Sequence, residues 1–124
     1  MAVLTGFVVD VLVTALISTL MTPTAESLAM APDLSRADHL LLLGLGLAST
    51  AAGGYLAGRL AGDAEVLHGL LVGVVGVILA QLPAVGSDPP IPRVFVIASA
   101  LGCAAGACGG LLSRYFPSPS RARG

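Results

Sequence analysis

LLLLGLGLASTAAGGYLAGRL, residues 40–60, is a run of 21 residues with a single charged side chain, Arg59. A helix that crosses the hydrocarbon layer of a membrane, roughly 30 Å thick, needs about 20 mostly apolar residues, because each residue adds about 1.5 Å. The run has this length, and it lacks the alternation of apolar and polar residues that is typical of a half-buried strand. It therefore predicts a membrane-spanning helix.

The composition of the whole chain favours the same environment. Of its 124 residues, 56% are hydrophobic and 10% are charged, and the mean hydropathy is +0.94. Soluble domains carry about 25% charged residues, so this chain has too few polar side chains to cover a globule in water. A net charge of −1 also argues against nucleic-acid binding, which needs a basic surface. We expect the lipid bilayer as partner, and no nucleic acid.

Three further apolar stretches resemble residues 40–60 in length and composition. The predicted spans are residues 3–21, 40–60, 66–82 and 94–112. The third is the shortest. The predicted fold is therefore all-α, an integral membrane four-helix bundle over residues 1–116, followed by a disordered cytoplasmic tail at 117–124. For residues 3–21 the alternative is a cleaved signal peptide. Against it, the first nine residues lack Lys and Arg, and Asp10 interrupts the apolar run.

Local signals predict where these helices begin and end. Thr22-Pro23 and Leu82-Pro83 are expected to end the first and third helices, because proline lacks a backbone donor and disfavours helical angles in the residue before it. Asp63 is expected to cap the third helix, with Glu65 in its first turn. The proline-rich segment 88–92 predicts a stiff turn before the fourth helix. Residues 22–39 are left as an external connection, with His39 as a solvated boundary residue.

The arginines predict the orientation of the chain. With four spans, both termini share one side of the membrane, and this side carries Arg59, Arg114, Arg121 and Arg123. The opposite side carries Arg36 and Arg93. Because positive residues collect on the cytoplasmic side, we expect both termini in the cytoplasm, and a location in a bacterial cytoplasmic (inner) membrane.

Glycines at four-residue spacing predict close helix packing, because small residues let helix backbones approach in lipid. The candidate packing residues are Gly46, Gly54, Gly58 and Gly62 in the second span, Gly69 and Gly73 in the third, and Gly102, Gly106 and Gly110 in the fourth. The pattern leaves open whether each stripe faces its own chain or another subunit. Gly53-Gly54 before Arg59 and Gly109-Gly110 before Arg114 also suggest a faint internal repeat.

The first span carries a polar stripe instead, formed by Asp10, Thr14 and Ser18. Asp10 lies about 10 Å inside the predicted boundary at about 1.5 Å per residue, where an isolated charge is costly. Two interpretations stay open. Asp10 either forms a structural pair with Arg59 or His68, or serves as a proton or cation site.

The sequence contains none of the motifs that would indicate an enzyme. It has no metal-ligand set such as HExxH or CxxC, no phosphate-binding loop, and no nucleophile placed beside a base. Cys103 and Cys108 lie five residues apart, which places them about 140° apart around a helix, so they predict small packing residues. We expect no catalytic activity, no metal and no cofactor.

GGYLAGRLAG at 53–62, followed by EVLHGLLVG at 65–73, resembles the central signature of small four-helix bacterial membrane proteins of uncharacterised function. The resemblance implies the four-helix architecture and singles out Arg59 and His68 for testing beside Asp10. The signature does not include Asp10 or the glycine-rich fourth span.

Two functions are consistent with these patterns. The first is a structural or accessory subunit that packs, as a homo-oligomer or within a larger membrane complex, through its small-residue helix faces. The alternative is a small transporter or channel subunit that conducts protons, cations or small solutes along a path near Asp10, Arg59 and His68.

Overall fold

The computed structural model describes residues 1–82 and 93–116, and this part of the chain contains helices and short connections without strands. The prediction of an all-α fold is confirmed there. The helices are α1 (Ala2–Leu20), α2 (Thr22–Met30), α3 (Ala37–Ala61), α4 (Glu65–Gln81) and α5 (Arg93–Tyr115). The predictions for segment 88–92 and for the tail at 117–124 lie outside the described residues.

Three of the described helices are long and apolar enough to cross a membrane. These are α1, α3 and α5, with 19, 25 and 23 residues. Helix α4 is also apolar, but its 17 residues make it shorter. At about 1.5 Å per residue, α4 measures about 26 Å, against about 30 Å of hydrocarbon. The predicted spans 3–21, 40–60 and 94–112 fall on the three long helices, and 66–82 matches α4 to within one residue at each end.

The contacts between helices show their relative directions. Helix α1 packs against α3 with Gly6 beside Gly53, while Asp10 contacts Ser49 further along, so the two helices are antiparallel. Helices α4 and α5 are antiparallel as well, and α3 runs parallel to α5. The start of α1, the connection between α3 and α4, and the end of α5 therefore lie at one end of the molecule. We call this the turn end and the opposite end the open end.

The helices approach most closely toward the turn end, because glycines face backbone there. A Cβ atom added at Gly54 would collide with the Gly106 backbone, and one added at Gly69 would collide with the backbone of Gly106 and Gly110. At Gly58 it would lie 2.5 Å from Ser113 Oγ and 3.1 Å from Gly110 Cα. Each of these contacts joins two helices of the same chain.

Toward the open end the helices separate. A Cβ atom added at Gly44 or Gly46 would meet no atom within 4 Å, and one added at Gly76 would meet only Asp10 Oδ2, at 3.8 Å. Gly102 belongs to the close contacts through its backbone, because a Cβ atom added at Gly73 would lie 2.8 Å from the Gly102 carbonyl oxygen. Gly62 ends α3 in the left-handed conformation at φ 83°. Among the predicted packing residues, Gly46 therefore faces open space, whereas Gly102 takes part in the close approach of α4 and α5.

The external connection predicted at 22–39 contains a helix, α2. Proline in its first turn is compatible with a helix start, because the missing N–H has no partner there in any case. Thr22-Pro23 therefore both follows the end of α1 and begins α2. His39, expected to be solvated, is fully buried, because its ring packs between α2 and the connection to α3 and contacts Ser27 Oγ at 3.2 Å.

The start of α4 also differs from the prediction. Its capping residue is Ala64 in a left-handed conformation at φ 46°, with no capping bond from a side chain, so the prediction of Asp63 as the cap is wrong. Glu65 does lie in the first turn, and its Oε2 is 3.8 Å from Arg114 Nε at the end of α5. Each charge thereby lies at the helix end whose dipole it complements.

Candidate functional site

Asp10 lies near the middle of α1, about 12 Å from its first residue and about 15 Å from its last. Its side chain is buried, with 7% of the residue exposed. The nearest donor is Ser49 on α3, whose Oγ is 2.8 Å from Asp10 Oδ1 and 3.0 Å from the Asp10 carbonyl oxygen. Ser49 is itself 3% exposed, so this contact joins the interiors of α1 and α3.

Two threonines complete the group of hydroxyls around the acid. Thr50 Oγ1 is 3.3 Å from Asp10 Oδ1 and 3.2 Å from Oδ2, while Thr14 Oγ1 is 3.4 Å from Oδ1. Thr14 is also 3.1 Å from Ser49 Oγ, and Thr50 is 3.2 Å from the Gly46 carbonyl oxygen. We call Asp10, Thr14, Ser49 and Thr50 the Asp10 cluster.

The protons available in this cluster are limited. Each hydroxyl donates one hydrogen bond, so Ser49, Thr14 and Thr50 supply at most three protons, and each has a competing acceptor. Among the described residues the acid has hydroxyl partners and no cationic one. The carboxyl group is therefore hydrogen-bonded without charge neutralisation by a side chain.

Arg59 and His68 do not join this cluster, so the predicted pairing of Asp10 with either residue is wrong. The Arg59 guanidinium carbon lies 5.8 Å from the centre of the Tyr55 ring, and Nη1 donates to the Tyr55 hydroxyl at 3.2 Å. His68 Nδ1 is 3.1 Å from the Ala64 carbonyl oxygen, in the first turn of α4. Both residues lie toward the turn end, whereas α1 places Asp10 deeper, level with Ser49.

A cavity of about 1130 Å³ lies between the separating helices, and Asp10, Thr14 and Thr50 of the Asp10 cluster form part of its wall. Its lining is mostly apolar side chains from α1, α2, α3, α4 and α5. The polar side chains that line it are Asp10, Thr14, Ser18, Thr50, Gln81 and Ser99. Among the lining residues that the structure describes, Asp10 is the one ionisable group, and none is Arg, Lys or His.

Gln81 and Ser99 join α4 to α5 in the lining of the cavity. Gln81 Nε2 donates to Ser99 Oγ at 3.0 Å, and Ser99 Oγ donates to the Phe95 carbonyl oxygen at 2.7 Å. Neither residue was among the predicted site residues, nor was Ser49. One feature of the sequence could have indicated these residues. Each carries a hydroxyl or an amide within an apolar run, and such groups need a hydrogen-bond partner inside the protein.

The sequence-predicted polar residues thus divide into two groups. Asp10, Thr14 and Ser18 line the cavity, whereas Arg59 and His68 lie away from it. Within the described residues, no cluster of three or more His, Cys, Asp or Glu could hold a metal ion. Comparison with known protein families, with curated proteins and with solved structures finds no match.

Proposed function

We propose that this chain is a four-helix integral membrane protein that binds a small solute in its cavity and acts as a transporter or channel subunit for protons, cations or small solutes. The proposal places it in a bacterial inner membrane with both termini in the cytoplasm, and it assigns the chain no catalytic step and no cofactor. The cavity that ends at a buried acid is the observation that carries the proposal.

The outer surface of the helices supports a membrane location. Large apolar side chains are exposed along α1, α3, α4 and α5, among them Leu12, Leu41, Leu71 and Val96. Exposed apolar surface of this extent is unfavourable in water and favourable in lipid. Arg59 and Arg114 both lie at the turn end, which supports a cytoplasmic location of that end.

The cavity supports solute binding because it combines apolar walls with a few polar groups. The glycine contacts toward the turn end close it there, while the helices separate toward the open end. In the proposed orientation the solute enters from outside the cell. Passage to the cytoplasm then requires the helices to move apart at the glycine contacts, which is the behaviour of a transporter.

A flux measurement tests this function. The protein is reconstituted into liposomes with a pH-sensitive dye inside, and the decay of an imposed pH gradient is followed with sodium, potassium or ammonium chloride outside. We expect faster decay than in empty liposomes in at least one of these salts. Asp10→Asn, which keeps the shape of the side chain, should return the decay to that of empty liposomes.

Thr19→Ala is the matched control, because it removes one hydroxyl from the same helix, and this hydroxyl donates to the Ala15 carbonyl oxygen on an exposed face outside the cavity lining. It should retain the flux of the unchanged protein. Equal decay for empty liposomes, the unchanged protein and Asp10→Asn in every salt would contradict the proposed function.

Self-association or attachment to a larger complex is a second candidate function. The glycine contacts that suggested it are made within this chain, but other small residues face outward. These are Ala48 and Ala52 on α3, and Ala100, Ala104 and Cys108 on α5. Small residues at this spacing permit close approach of a helix from another subunit.

Cys108 provides the test, because it is exposed whereas Cys103 is half-buried. Mild oxidation of native membranes should yield a disulfide-linked dimer in Cys103→Ser but not in Cys108→Ser. A monomer in both variants, with no crosslinked partner of any size, would contradict association through this face.

A further inference from the structure

We infer that the ligand of the cavity is an organic cation with an apolar body and a single ammonium group, held with the ammonium group against Asp10. This inference rests on the proposed function and names the class of solute that it acts on. Three properties of the cavity carry it: its charge, the geometry around the carboxyl group, and the nature of its walls.

The charge of the cavity is unbalanced. Asp10 is its one ionisable group among the described lining residues, and the partners of its carboxyl group are hydroxyls. A buried carboxylate is stabilised when a cation of good geometry lies beside it, and an acid inside a membrane span otherwise carries a large desolvation penalty. A ligand with one positive charge supplies what the protein lacks.

The two carboxyl oxygens of Asp10 differ in access. Ser49 and Thr14 both approach Oδ1, whereas the described donor at Oδ2 is Thr50, at 3.2 Å. The single Thr50 proton is shared with the Gly46 carbonyl oxygen. A carboxylate oxygen accepts about two hydrogen bonds, so Oδ2 retains capacity for a ligand donor. An ammonium group with N–H bonds fits this acceptor.

Gly76 keeps Oδ2 open on the side of α4. A Cβ atom at this position would lie 3.8 Å from Oδ2, and no other atom lies within 4 Å of it. The glycine therefore leaves room for a ligand head group beside the carboxylate. A side chain larger than alanine at this position would occupy that room.

The walls and the size of the cavity favour an organic ligand over a metal ion. The walls include Phe7, Val11, Leu47, Val77 and Phe95, which offer apolar contact. The volume of about 1130 Å³ is slightly above the range of about 300–1,000 Å³ that is typical of ligand pockets, so a drug-sized molecule fits. Calcium takes about six to eight oxygen ligands, whereas this cluster has one carboxyl group and three hydroxyls.

A pair of matched probes tests the inference. The full chain is placed in nanodiscs of zwitterionic phosphatidylcholine and titrated with 1-naphthylmethylammonium and with 1-naphthylmethanol, two molecules of nearly equal shape that differ in charge. Binding is followed by calorimetry against empty nanodiscs. We expect the ammonium to bind about ten-fold more tightly than the alcohol or better, as a charge-assisted hydrogen bond permits.

Two variants locate the effect. Asp10→Asn should reduce the preference for the ammonium to about one, leaving the weak binding of the alcohol unchanged. Gly76→Val keeps the Asp10 carboxyl group but places methyl groups beside Oδ2, and it should weaken ammonium binding by about ten-fold as well. Thr19→Ala should bind both probes as the unchanged protein does, because Thr19 is exposed on α1 and does not line the cavity. If Asp10→Asn fails to fold, Gly76→Val decides the test.

The outcomes separate this inference from the proposed function. Equal affinity for the two probes, or a preference that survives in both Asp10→Asn and Gly76→Val, would overturn the cation assignment. Absence of binding by either probe would also overturn the cation assignment. In each case the proposed function stands when flux still depends on Asp10, and it falls only when flux is independent of that residue.

Discussion

Asp10 and Ser49 show how a polar contact holds two apolar helices in register. Ser49 Oγ reaches both the carboxyl and the carbonyl oxygen of Asp10, and both residues are buried. Within lipid no water replaces such a contact, so its loss leaves a buried acceptor without its donor. The contact therefore contributes to stability and positions the acid at the cavity wall.

Ser49→Ala is expected to destabilise the protein by about 1–3 kcal/mol, because it leaves a buried acceptor without its closest donor. Thr14→Val removes a hydroxyl that lies 3.4 Å from the carboxylate on an exposed residue, and we expect a change below about 0.5 kcal/mol. Unfolding in mild detergent micelles, followed by circular dichroism during titration with a denaturing detergent, measures both. Equal losses of stability would contradict the assigned difference.

Gly69→Ala and Gly46→Ala test the glycine contacts at single residues. The added methyl group at Gly69 collides with the Gly106 and Gly110 backbone, and overpacking of this kind costs about 1–3 kcal/mol or more. The same methyl group at Gly46 meets no atom, and alanine favours the helix by about 0.5–1 kcal/mol.

The melting temperature of each glycine variant in the same detergent provides the comparison. We expect a clear decrease for Gly69→Ala, and an unchanged or higher value for Gly46→Ala. A similar decrease in both variants would show that the loss does not arise from the contact with Gly106.

At the level of the helices, α2 is attached to the start of α3 by a network of polar side chains. Buried His39 contacts Ser27 Oγ at 3.2 Å and accepts from or donates to the Asp33 backbone at 3.1–3.2 Å. Arg36 Nη1 donates to Ser27 Oγ at 3.1 Å, and Arg36 Nη2 donates to Asp38 Oδ2 at 2.6 Å. This network fixes α2 beside the mouth of the cavity, where Leu28 and Leu34 form part of the lining.

The connection between α2 and α3 carries a pH dependence of known sign. Hydrogen bonds from the Ser35 side chain and backbone hold the pKa of Asp33 below its usual value of 3.8. A lowered pKa contributes stability that is present above the unfolded value. This contribution is lost as the pH falls through the folded value, so the local structure should loosen only below about pH 4.

Ser35→Ala removes the side-chain bond, which is the largest cause, and should raise the pKa of Asp33 toward 3.8. Asp38 is the internal control, because Arg36 lowers its pKa and Ser35 does not take part. Carboxyl carbon chemical shifts during an acid titration report both residues. An unchanged Asp33 pKa, or an equal rise at Asp38, would contradict the assigned cause.

At the level of the whole molecule, the helices form a taper. Glycine contacts bring the backbones together toward the turn end, whereas side-chain positions at Gly44, Gly46 and Gly76 meet no backbone of another helix. The cavity occupies the space between the helices toward the open end. The same residue type therefore serves two purposes, close packing at one end and free space at the other. The direction of the taper relative to the membrane decides from which side a solute enters.

Cysteine labelling tests that direction. In a Cys103→Ser, Cys108→Ser background, single cysteines are introduced as Asp63→Cys, Phe116→Cys and Ser35→Cys, and intact cells are treated with a membrane-impermeant maleimide. We expect labelling of Ser35→Cys alone, because the turn end is proposed to face the cytoplasm. Permeabilised cells should label at all three positions.

Labelling of Asp63→Cys and Phe116→Cys from opposite sides would show that α5 does not cross the membrane together with α4. Labelling of both from outside, with Ser35→Cys protected, would reverse the orientation and place the mouth of the cavity in the cytoplasm. Either result contradicts the topology proposed for this chain.

The positions of the long helices follow from the sequence, because hydropathy and proline act over short distances along the chain. Predicted spans 3–21 and 66–82 differ from α1 and α4 by one residue at each end. The connections were harder to predict. Polar residues 22–39 lack the apolar run that indicates a span, so α2 was missed, and His39 became buried through contacts that no local pattern encodes.

The sequence by itself determined that this chain is helical and apolar enough for lipid, since length and hydropathy are properties of each segment alone. Only the tertiary structure decided what each polar and glycine residue contacts. Asp10 meets Ser49, 39 positions away, and Gly54 meets Gly106, because rotation and register of the helices are set jointly by all their backbone contacts. Four-residue spacing is the same for Gly46, in open space, and Gly58, in close contact, so the spacing does not distinguish them.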